Sequence, residues 1–535
     1  MKFSALASSS ALALALALGL SACGDEDTGA GRDRPAATEI TQEEGEAGLA
    51  ALNLAQTPQL SWQERSFEDG VFTFSELAFT PEEGGEGFTI EQLVLAAPRV
   101  NEAGTVEFDR LEALGLVAGE GEEEVRVARA FVDYPGPGLA AAIADMLSGR
   151  AADEAYEMNV DDMTRFTFEG VGIEGVEMSA TEELDSLSIT GFTFEAFDGE
   201  TLGAMVMSGF SMSAEDETGA PVHLGLGEFR VEGLDGALFK SMADAEGDPQ
   251  AAMEAMSNWM MPTNLYDNFI LRDLDVNAAG VRIAMPEMTS QVRERGEEVV
   301  MTSAMPSLTI TGEPGTQGGD QVAQALEMLG YESFDLSMRG ESVYDQETGR
   351  VTTRGENYVE LEDGLRISIT QDIGGFNEYL ERYSQVMGEL FAQAETAGEL
   401  GALDPQINAM MLDLYDPLML HSMTVAIEDR SILQRGIDAA AAQQGVTPED
   451  VRSQLVGLIG MGVMMAPPEV PRPLVSSLSQ SLMSFVQQGG TLVISADPEE
   501  PVSLGAVIDA AQAGNFDPGQ IGLTVAHEGG EAGGE

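Results

Sequence analysis

Cysteine and histidine are nearly absent from this 535-residue chain, which has one cysteine, Cys23, and three histidines, His223, His421 and His527. A single cysteine excludes an intrachain disulfide. The histidines are far apart, each within an expected strand, and leave too few ligands for a zinc site. No Gly-x-Ser-x-Gly elbow, P-loop, dinucleotide-binding fingerprint or His-Glu-x-x-His motif is present. We therefore expect no metal, no cofactor and no enzymatic activity, although hydrolysis by a carboxylate pair stays open.

Basic residues are also scarce, with 25 Lys and Arg against 92 Asp and Glu and a formal net charge of −67. Binding to nucleic acid requires clustered Lys and Arg side chains that neutralise phosphates, and the chain has no such cluster. The same charge opposes docking on anionic lipid surfaces. Nucleic acid is thus excluded as a partner, and membrane attachment has to rest on something other than surface charge.

Apolar runs long enough to cross a bilayer are absent as well. The run Val456–Ala466 has 11 residues, whereas a spanning helix needs about 20. We interpret it as part of a buried helix, in which Gly457, Gly460 and Gly462 permit close packing against a neighbour.

The N-terminal apolar run Ala11–Leu20 is likewise too short to cross a bilayer. It follows the positively charged Lys2 and precedes the small residues Ser21 and Ala22. This order is typical of an export signal. We predict that residues 1–22 are a signal peptide.

The four residues Leu20-Ser21-Ala22-Cys23 resemble the lipobox of bacterial lipoproteins. The resemblance implies that Cys23 becomes the mature N terminus and carries acyl chains such as palmitate. Several acyl chains hold a protein stably at a bilayer surface, whereas one binds only marginally. Because the residue directly after the cysteine is not aspartate, the resemblance favours the outer membrane over the inner membrane.

Residues 23–60 are interpreted as the lipidated cysteine and a flexible linker. Their first half is rich in Gly, Glu, Asp and Thr and poor in large apolar residues, which is typical of a solvated segment. The linker would hold an acidic body away from the bilayer.

An eight-residue pattern with apolar residues at its first, third, sixth and eighth places recurs from Phe72 onward. Its copies are Phe72/Phe74/Leu77/Phe79, Phe88/Ile90/Leu93/Leu95, Val106/Phe108/Leu111/Ala113, Phe166/Phe168/Val171/Ile173, Leu187/Ile189/Phe192/Phe194, Met205/Met207/Phe210/Met212, Leu224/Leu226/Phe229/Val231 and Phe269/Leu271/Leu274/Val276. Alternating apolar residues indicate strands. The two polar places between the third and sixth positions shift this alternation by one residue, so that the apolar residues change from odd to even places. Either a bulge returns all four residues to one face, or two short strands meet at a corner. We predict a repetitive, mainly antiparallel β domain over residues 61–318.

These repeats resemble the strand repeats of AsmA-like envelope proteins, as in the runs that begin at Phe88 and Phe269. The resemblance implies a long curved sheet that encloses an apolar groove for lipid. Two helical insertions are expected within the repeats, at Leu139–Leu147 and at residues 248–259. On the second, Met253, Met256 and Met260 share one stripe; we favour a helix that packs on the sheet over an adaptable ligand surface.

Residues 319–528 are expected to form a mixed α/β domain, which makes the chain an α+β protein. A short helix to Leu329 precedes a three-stranded meander, and helices then dominate. The expected helices cover 376–397, 404–415, 432–443, 448–464, 474–487 and 504–513, with strands at 491–496 and 523–526. Thr447 and Asp450 have the spacing of a capping box. Residues 529–535 are expected to be a disordered tail.

Parts of this half resemble uncharacterised alphaproteobacterial envelope proteins over residues 330–528, as in Tyr344-Asp345, Asp429-Arg430-Ser431 and the strand Gly490–Ala496. We expect a non-enzymatic, lipid-anchored envelope protein that faces the periplasm and acts as a scaffold or interaction module, with envelope proteins as partners. The alternative is a carrier of lipids or other apolar ligands in a groove of the β-sheet.

Overall fold

The computed structural model describes residues 37–80, 87–119, 124–147, 165–178, 184–215, 220–236, 266–383, 385–386, 412–465 and 472–529. Described residues up to 236, together with 266–279, form one compact unit, and those from 280 onward form a second. The expected boundary at 318/319 is therefore wrong. The strands Val281–Arg295 and Glu298–Gly312 pair with each other and then with Phe334–Asp345, which places them in the second unit.

The first unit is an antiparallel sheet with two described helices. Its elements are α1 (Gln42–Ala51), β1 (Leu60–Ser61), β2 (Glu64–Glu68), β3 (Val71–Phe79), β4 (Phe88–Ala96), β5 (Arg99–Val100), β6 (Val106–Glu107), β7 (Arg110–Ala118), β8 (Val125–Asp133), α2 (Pro137–Leu147), β9 (Phe168–Met178), β10 (Ser186–Phe197), β11 (Thr201–Glu215), β12 (Pro221–Asp235) and β13 (Asn268–Ala278). Strands β3, β4 and β7 to β13 pair in that order, with β1 and β2 beside β3. The mainly antiparallel β fold is confirmed.

A kink crosses this sheet at one level. Glu76 of β3 and Glu91 of β4 face each other without forming a ladder pair, although pairing is regular on both sides. The interruption continues on the other strands. Its residues are Glu76, Glu91, Gly115, Ala128, Gly175, Thr190, Gly209, Gly227 and Asp273. On alternate strands the residue is left-handed, with φ between 50° and 64° at Glu76, Gly115, Gly175, Gly209 and Asp273.

The kink explains the eight-residue pattern. Side chains alternate along a strand with a period of two, and the kink shifts that alternation by one residue. Phe72 and Phe74 before it and Leu77 after it consequently lie in the same core cluster, and β3 runs through without a break. The geometry with all four apolar residues on one face is the one observed.

Two copies of the predicted pattern are out of register with the strands, and a further copy lies on β8. Val106 lies on the short strand β6, and Phe166 precedes β9. When the copies are aligned on the kink residues, those of β7, β8 and β9 begin at Leu111, Val125 and Val171, and each copy lies on a single strand. They are Leu111/Ala113/Leu116/Ala118, Val125/Val127/Ala130/Val132 and Val171/Ile173/Val176/Met178.

Gly175→Val should test the kink. Gly175 has φ +61°, and a Cβ atom there would lie 2.7 Å from the Cβ atom of Ala128. We expect a loss of about 2–3 kcal/mol in the free energy of unfolding, because a β-branched residue resists the left-handed conformation. Urea denaturation of the full chain measures it. Gly175→Asn, which meets the same contact but tolerates this conformation, should cost less; equal losses would show that crowding rather than the backbone decides.

The flexible-linker prediction is wrong for the described part of residues 23–60. Thr41 and Glu44 form a capping box that starts α1, a signal hidden by the Gly- and Glu-rich composition. Leu49, Leu52 and Leu54 are buried at 3% exposure or less. The segment is therefore part of the core.

Asp109 fixes the start of this docked segment. Its side chain accepts hydrogen bonds from the Thr38 amide (2.7 Å) and from Arg99 (2.8 Å) and is 6% exposed. Burial raises the pKa of Asp109, but the hydrogen bonds from Arg99 and Thr38 and the charge of Arg99 outweigh burial and hold it below its ordinary value. The carboxylate thus stabilises the fold above its unfolded-state pKa of about 3.9, and this contribution is lost as the pH falls through the lower folded-state value.

Asp109→Asn is expected to lower the free energy of unfolding by about 1.5–3 kcal/mol at neutral pH, because a charged hydrogen-bond acceptor is lost. Hydrogen exchange at the Thr38 amide should be faster in the variant. The difference in free energy of unfolding between variant and parent should shrink below about pH 4, where the Asp109 carboxylate of the parent begins to be protonated. Asp69→Asn, at an exposed turn residue, serves as the control. A loss that persisted undiminished at pH 2 would exclude the carboxylate charge as its cause.

The second unit is also an antiparallel sheet with helices. Its elements are β14 (Val281–Arg295), β15 (Glu298–Gly312), α3 (Gln317–Leu329), β16 (Phe334–Asp345), β17 (Arg350–Thr353), β18 (Tyr358–Leu361), β19 (Leu365–Gly374), β20 (Met419–Asp429), α4 (Ile432–Gln444), α5 (Pro448–Met465), α6 (Arg472–Gln488), β21 (Gly490–Ala496), β22 (Val502–Ser503), α7 (Leu504–Gln512) and β23 (Thr524–Glu528). Residues 376–383 are also helical. The Thr447–Asp450 capping box is confirmed by reciprocal hydrogen bonds of 3.1 and 3.2 Å.

Several sequence predictions fall outside the described residues. They concern the signal peptide and Cys23, the helix at 248–259 with its three methionines, most of the helices at 376–397 and 404–415, and the tail from 530. Within the described ranges, no helix has the length and apolar character needed to cross a membrane.

The expectation that Gly457, Gly460 and Gly462 serve close packing is wrong. A Cβ atom at each of them would meet no described atom within 4 Å outside the helix's own backbone. Residues 456–465 of the apolar run are helical, but their glycines touch no other helix among the described residues.

Candidate apolar binding surface

Three rows of apolar side chains cross β10, β11, β12 and β13 on one face of the first unit. The rows are Phe194, Met205, Val231 and Phe269; Phe192, Met207, Phe229 and Leu271; and Leu187, Met212, Leu224 and Val276. Phe210 and Leu226 pair between the last two rows. We call the last two rows with Phe210 and Leu226 the apolar strip. It exists because the kink keeps Met207 and Phe210 on one face of β11.

Burial changes along this face. Over β3 to β9, the apolar side chains join one core with α1 and α2, to which Leu49 and Ile143 contribute. The first row also packs into a small core, where Phe194 and Val231 are 7% and 6% exposed. The residues of the apolar strip are each partly buried, and Phe192 and Phe229 at its first row also pack against these cores. Among the helices the structure describes, none packs closely against β10 to β13.

The apolar strip is large enough for a ligand. From Met207 to Met212 it extends about 17 Å along the strands, and it covers four strands, about 14 Å across. Phenylalanine, methionine and leucine supply most of its surface, and methionine side chains repack readily around irregular apolar shapes. The strip can therefore accept an extended acyl chain or an apolar side of a protein partner, without offering a group for chemistry.

The opposite face of the same strands carries internally paired charges on β12 and β13, whereas Ala204, Val206 and Ser208 of β11 are buried there at 5% exposure or less. Arg230 contacts Glu232 at 2.7 Å, and Arg272 pairs with Glu228 across β12 and β13. This face is thus charged on β12 and β13 but covered on β11. The apolar strip is the unusual side, because apolar surface is normally covered.

The histidines take different positions. His223 of β12 lies 3.3 Å from the Ser213 hydroxyl, and His527 of β23 lies 2.7 Å from the Gly489 carbonyl. His421 is half-buried on β20. Across the ranges given above, no group of three His, Cys, Asp or Glu side chains could hold a metal ion. The lipidation site Cys23 lies outside the described residues.

The residues of the strip could be found from the sequence, since most of them belong to the repeat copies that begin at Leu187, Met205, Leu224 and Phe269. The exposure of these residues could not be predicted from the sequence. The copies on β3 and on β11 have the same pattern, and only the positions of α1 and α2 distinguish a covered face from a half-open one.

Comparison with known families finds a family profile, described as an uncharacterized protein, that matches residues 358–528. The match covers part of the second unit, and the description of the family names no activity. A search of curated proteins finds no match.

Proposed function

We propose that the chain is a non-enzymatic, lipid-anchored envelope protein in which a repetitive β body and a mixed α/β domain serve as an interaction module. The observation that carries the proposal is the apolar strip, a half-open apolar surface on an otherwise acidic protein. An apolar partner would gain free energy by covering it, at roughly 25 cal/mol per Å² of apolar surface removed from water.

The lipobox supplies the location in this proposal. Acylation of Cys23 places the protein at a membrane, with the periplasm-facing side of the outer membrane favoured. The docked segment from Thr38 shortens the tether. Between Cys23 and Ala37 the chain spans at most about 50 Å even when fully extended, so the body works close to the bilayer.

A second candidate is a carrier of lipids or other apolar ligands, and the continuity of the strip favours it. Four adjacent strands contribute apolar residues in register, as in the rows through Met207 and Met212. An acyl chain makes contacts that need no hydrogen-bonding partner, and the strip provides contacts of this kind. Both candidates use the same surface and differ in its occupant.

Photo-crosslinking in cells distinguishes the two candidates. A photoreactive amino acid at Met212 is expected to form adducts with whatever covers the strip. Protein adducts identified by mass spectrometry support the interaction module, whereas lipid adducts support the carrier. Ser211, which points to the opposite face of β11, provides the matched control position. Adducts of equal yield at Met212 and Ser211, or none at Met212, would contradict a binding role for the strip.

A further inference from the structure

Helix α5 turns an apolar face outward. On its inner side, Val451 and Leu455 pack with Ile437 and Ala441 of α4. Its exposed residues recur with helical spacing on the other side. After the exposed first turn, which includes Glu449 and Asp450, they are Ser453, Gln454, Gly457, Leu458, Met461 and Gly462. The outward side of a surface helix is normally polar or charged, yet Leu458 and Met461 are 58% and 49% exposed.

The surroundings of this face are nearly free of charge. From Ser453 to Ala496 the only charged residues are Glu469 and Arg472, although 22% of the whole chain is charged. The neighbouring helix α6 adds Leu478, which is 38% exposed. A net charge of −67 opposes the approach of a second copy. That repulsion is weak at a surface with so few charged residues.

The outward face is also self-complementary. Gly457, Leu458, Met461 and Gly462 present the order small, large, large, small, which reads the same in both directions. An antiparallel copy related by a two-fold axis between residues 459 and 460 would place Leu458 beside Met461 and Gly457 beside Gly462. A two-fold interface requires such a patch, because each copy contributes the same surface. A Cβ atom added to either glycine would meet no described atom within 4 Å outside the helix's own backbone, so the glycines would admit the partner's large side chains.

We propose that α5, with Leu478 of α6, is a homodimer interface. A membrane surface fits this face less well. Helices that lie in a bilayer interface combine an apolar side with several Lys or Arg residues, whereas Ser453–Ala496 contains one Arg and no Lys. A second copy of the chain satisfies both the absence of charge and the symmetric order of the side chains.

Site-specific crosslinking tests the dimer in the full chain carrying Cys23→Ser. In this background Leu458→Cys is the sole thiol, and the result does not depend on acylation. A short bismaleimide crosslinker should join two copies into a species of twice the 56.6 kDa chain mass on a denaturing gel. Met328→Cys, on α3 at a residue that is 52% exposed, is the matched control and should remain monomeric. Equal dimer yields from the two variants would overturn the proposal.

Sedimentation velocity provides the second measurement. Leu458→Glu and Met461→Glu should each weaken self-association at least tenfold, because a charge would be buried beside its own copy. Met328→Glu should sediment like the parent. A parent that is monomeric at all concentrations, or glutamate variants that dimerise like the parent, would reject the interface. Loss of binding to phosphatidylethanolamine vesicles in Leu458→Glu, with unchanged self-association, would reject it in favour of a membrane surface.

Discussion

Phe72→Ala is expected to lower the free energy of unfolding of the first unit by about 3–5 kcal/mol, the range for truncating a buried phenylalanine. The Phe72 side chain is fully buried. Its ring centroid lies 4.7 Å from that of Phe67, and Gly45 of α1 packs directly against its edge. Removing the ring would open a cavity between the sheet and the segment whose composition predicts a linker.

Urea denaturation of the full chain, combined with hydrogen exchange of residues 42–51, measures this effect. Exchange in α1 should accelerate, because the helix is held by packing rather than by its own propensity. Val100→Ala is the control, since Val100 is 40% exposed and should change stability by no more than about 0.5 kcal/mol. If Phe72→Ala left α1 protected, the helix would not depend on this core.

Cys23→Ser is expected to have the second large effect, on location rather than stability. Acylation requires the cysteine thiol, and the described residues contain no helix able to span a bilayer. The variant should leave the membrane fraction or accumulate as a precursor that retains residues 1–22. Metabolic labelling with palmitate should lose its signal in the variant. Asp25→Asn, which keeps Cys23, should be labelled and fractionate with membranes like the parent.

Processing and membrane attachment of the Cys23→Ser variant at the parent level would contradict lipidation. The strip and α5 would be unaffected by that outcome, because neither depends on the anchor. The three proposals can therefore fail separately.

The sequence predicted the β body because its signal is local. The spacing of Phe72, Phe74, Leu77 and Phe79 encodes both the strand period and the parity shift, and the kink at Glu76 produces that shift. The register of two copies was wrong because Phe108 and Phe166 extend the apolar pattern past the ends of the strands they adjoin. Spacing alone does not show where a strand begins.

The covering of each face was not predictable, because it depends on distant contacts. Helix α1 docks through Gly48, where an added Cβ atom would lie only 2.4 Å from the backbone of Pro98. The sequence around Gly48 looks like a linker, and nothing local indicates that partner. Similarly, Leu458 and Met461 belong to a run typical of a buried helix, and only the position of α4 on its other side shows that they point outward.

Binding of a neutral, environment-sensitive apolar dye to the full chain tests the central claim, that the strip on β10 to β13 is a binding surface. Fluorescence titration should show saturable binding to the parent. Leu224→Glu should weaken it at least tenfold, because a carboxylate would replace a leucine of the strip on the inner strand β12. Ser211→Glu, on the opposite face of the neighbouring strand, should bind like the parent. Equal affinities for the parent and Leu224→Glu would contradict the account.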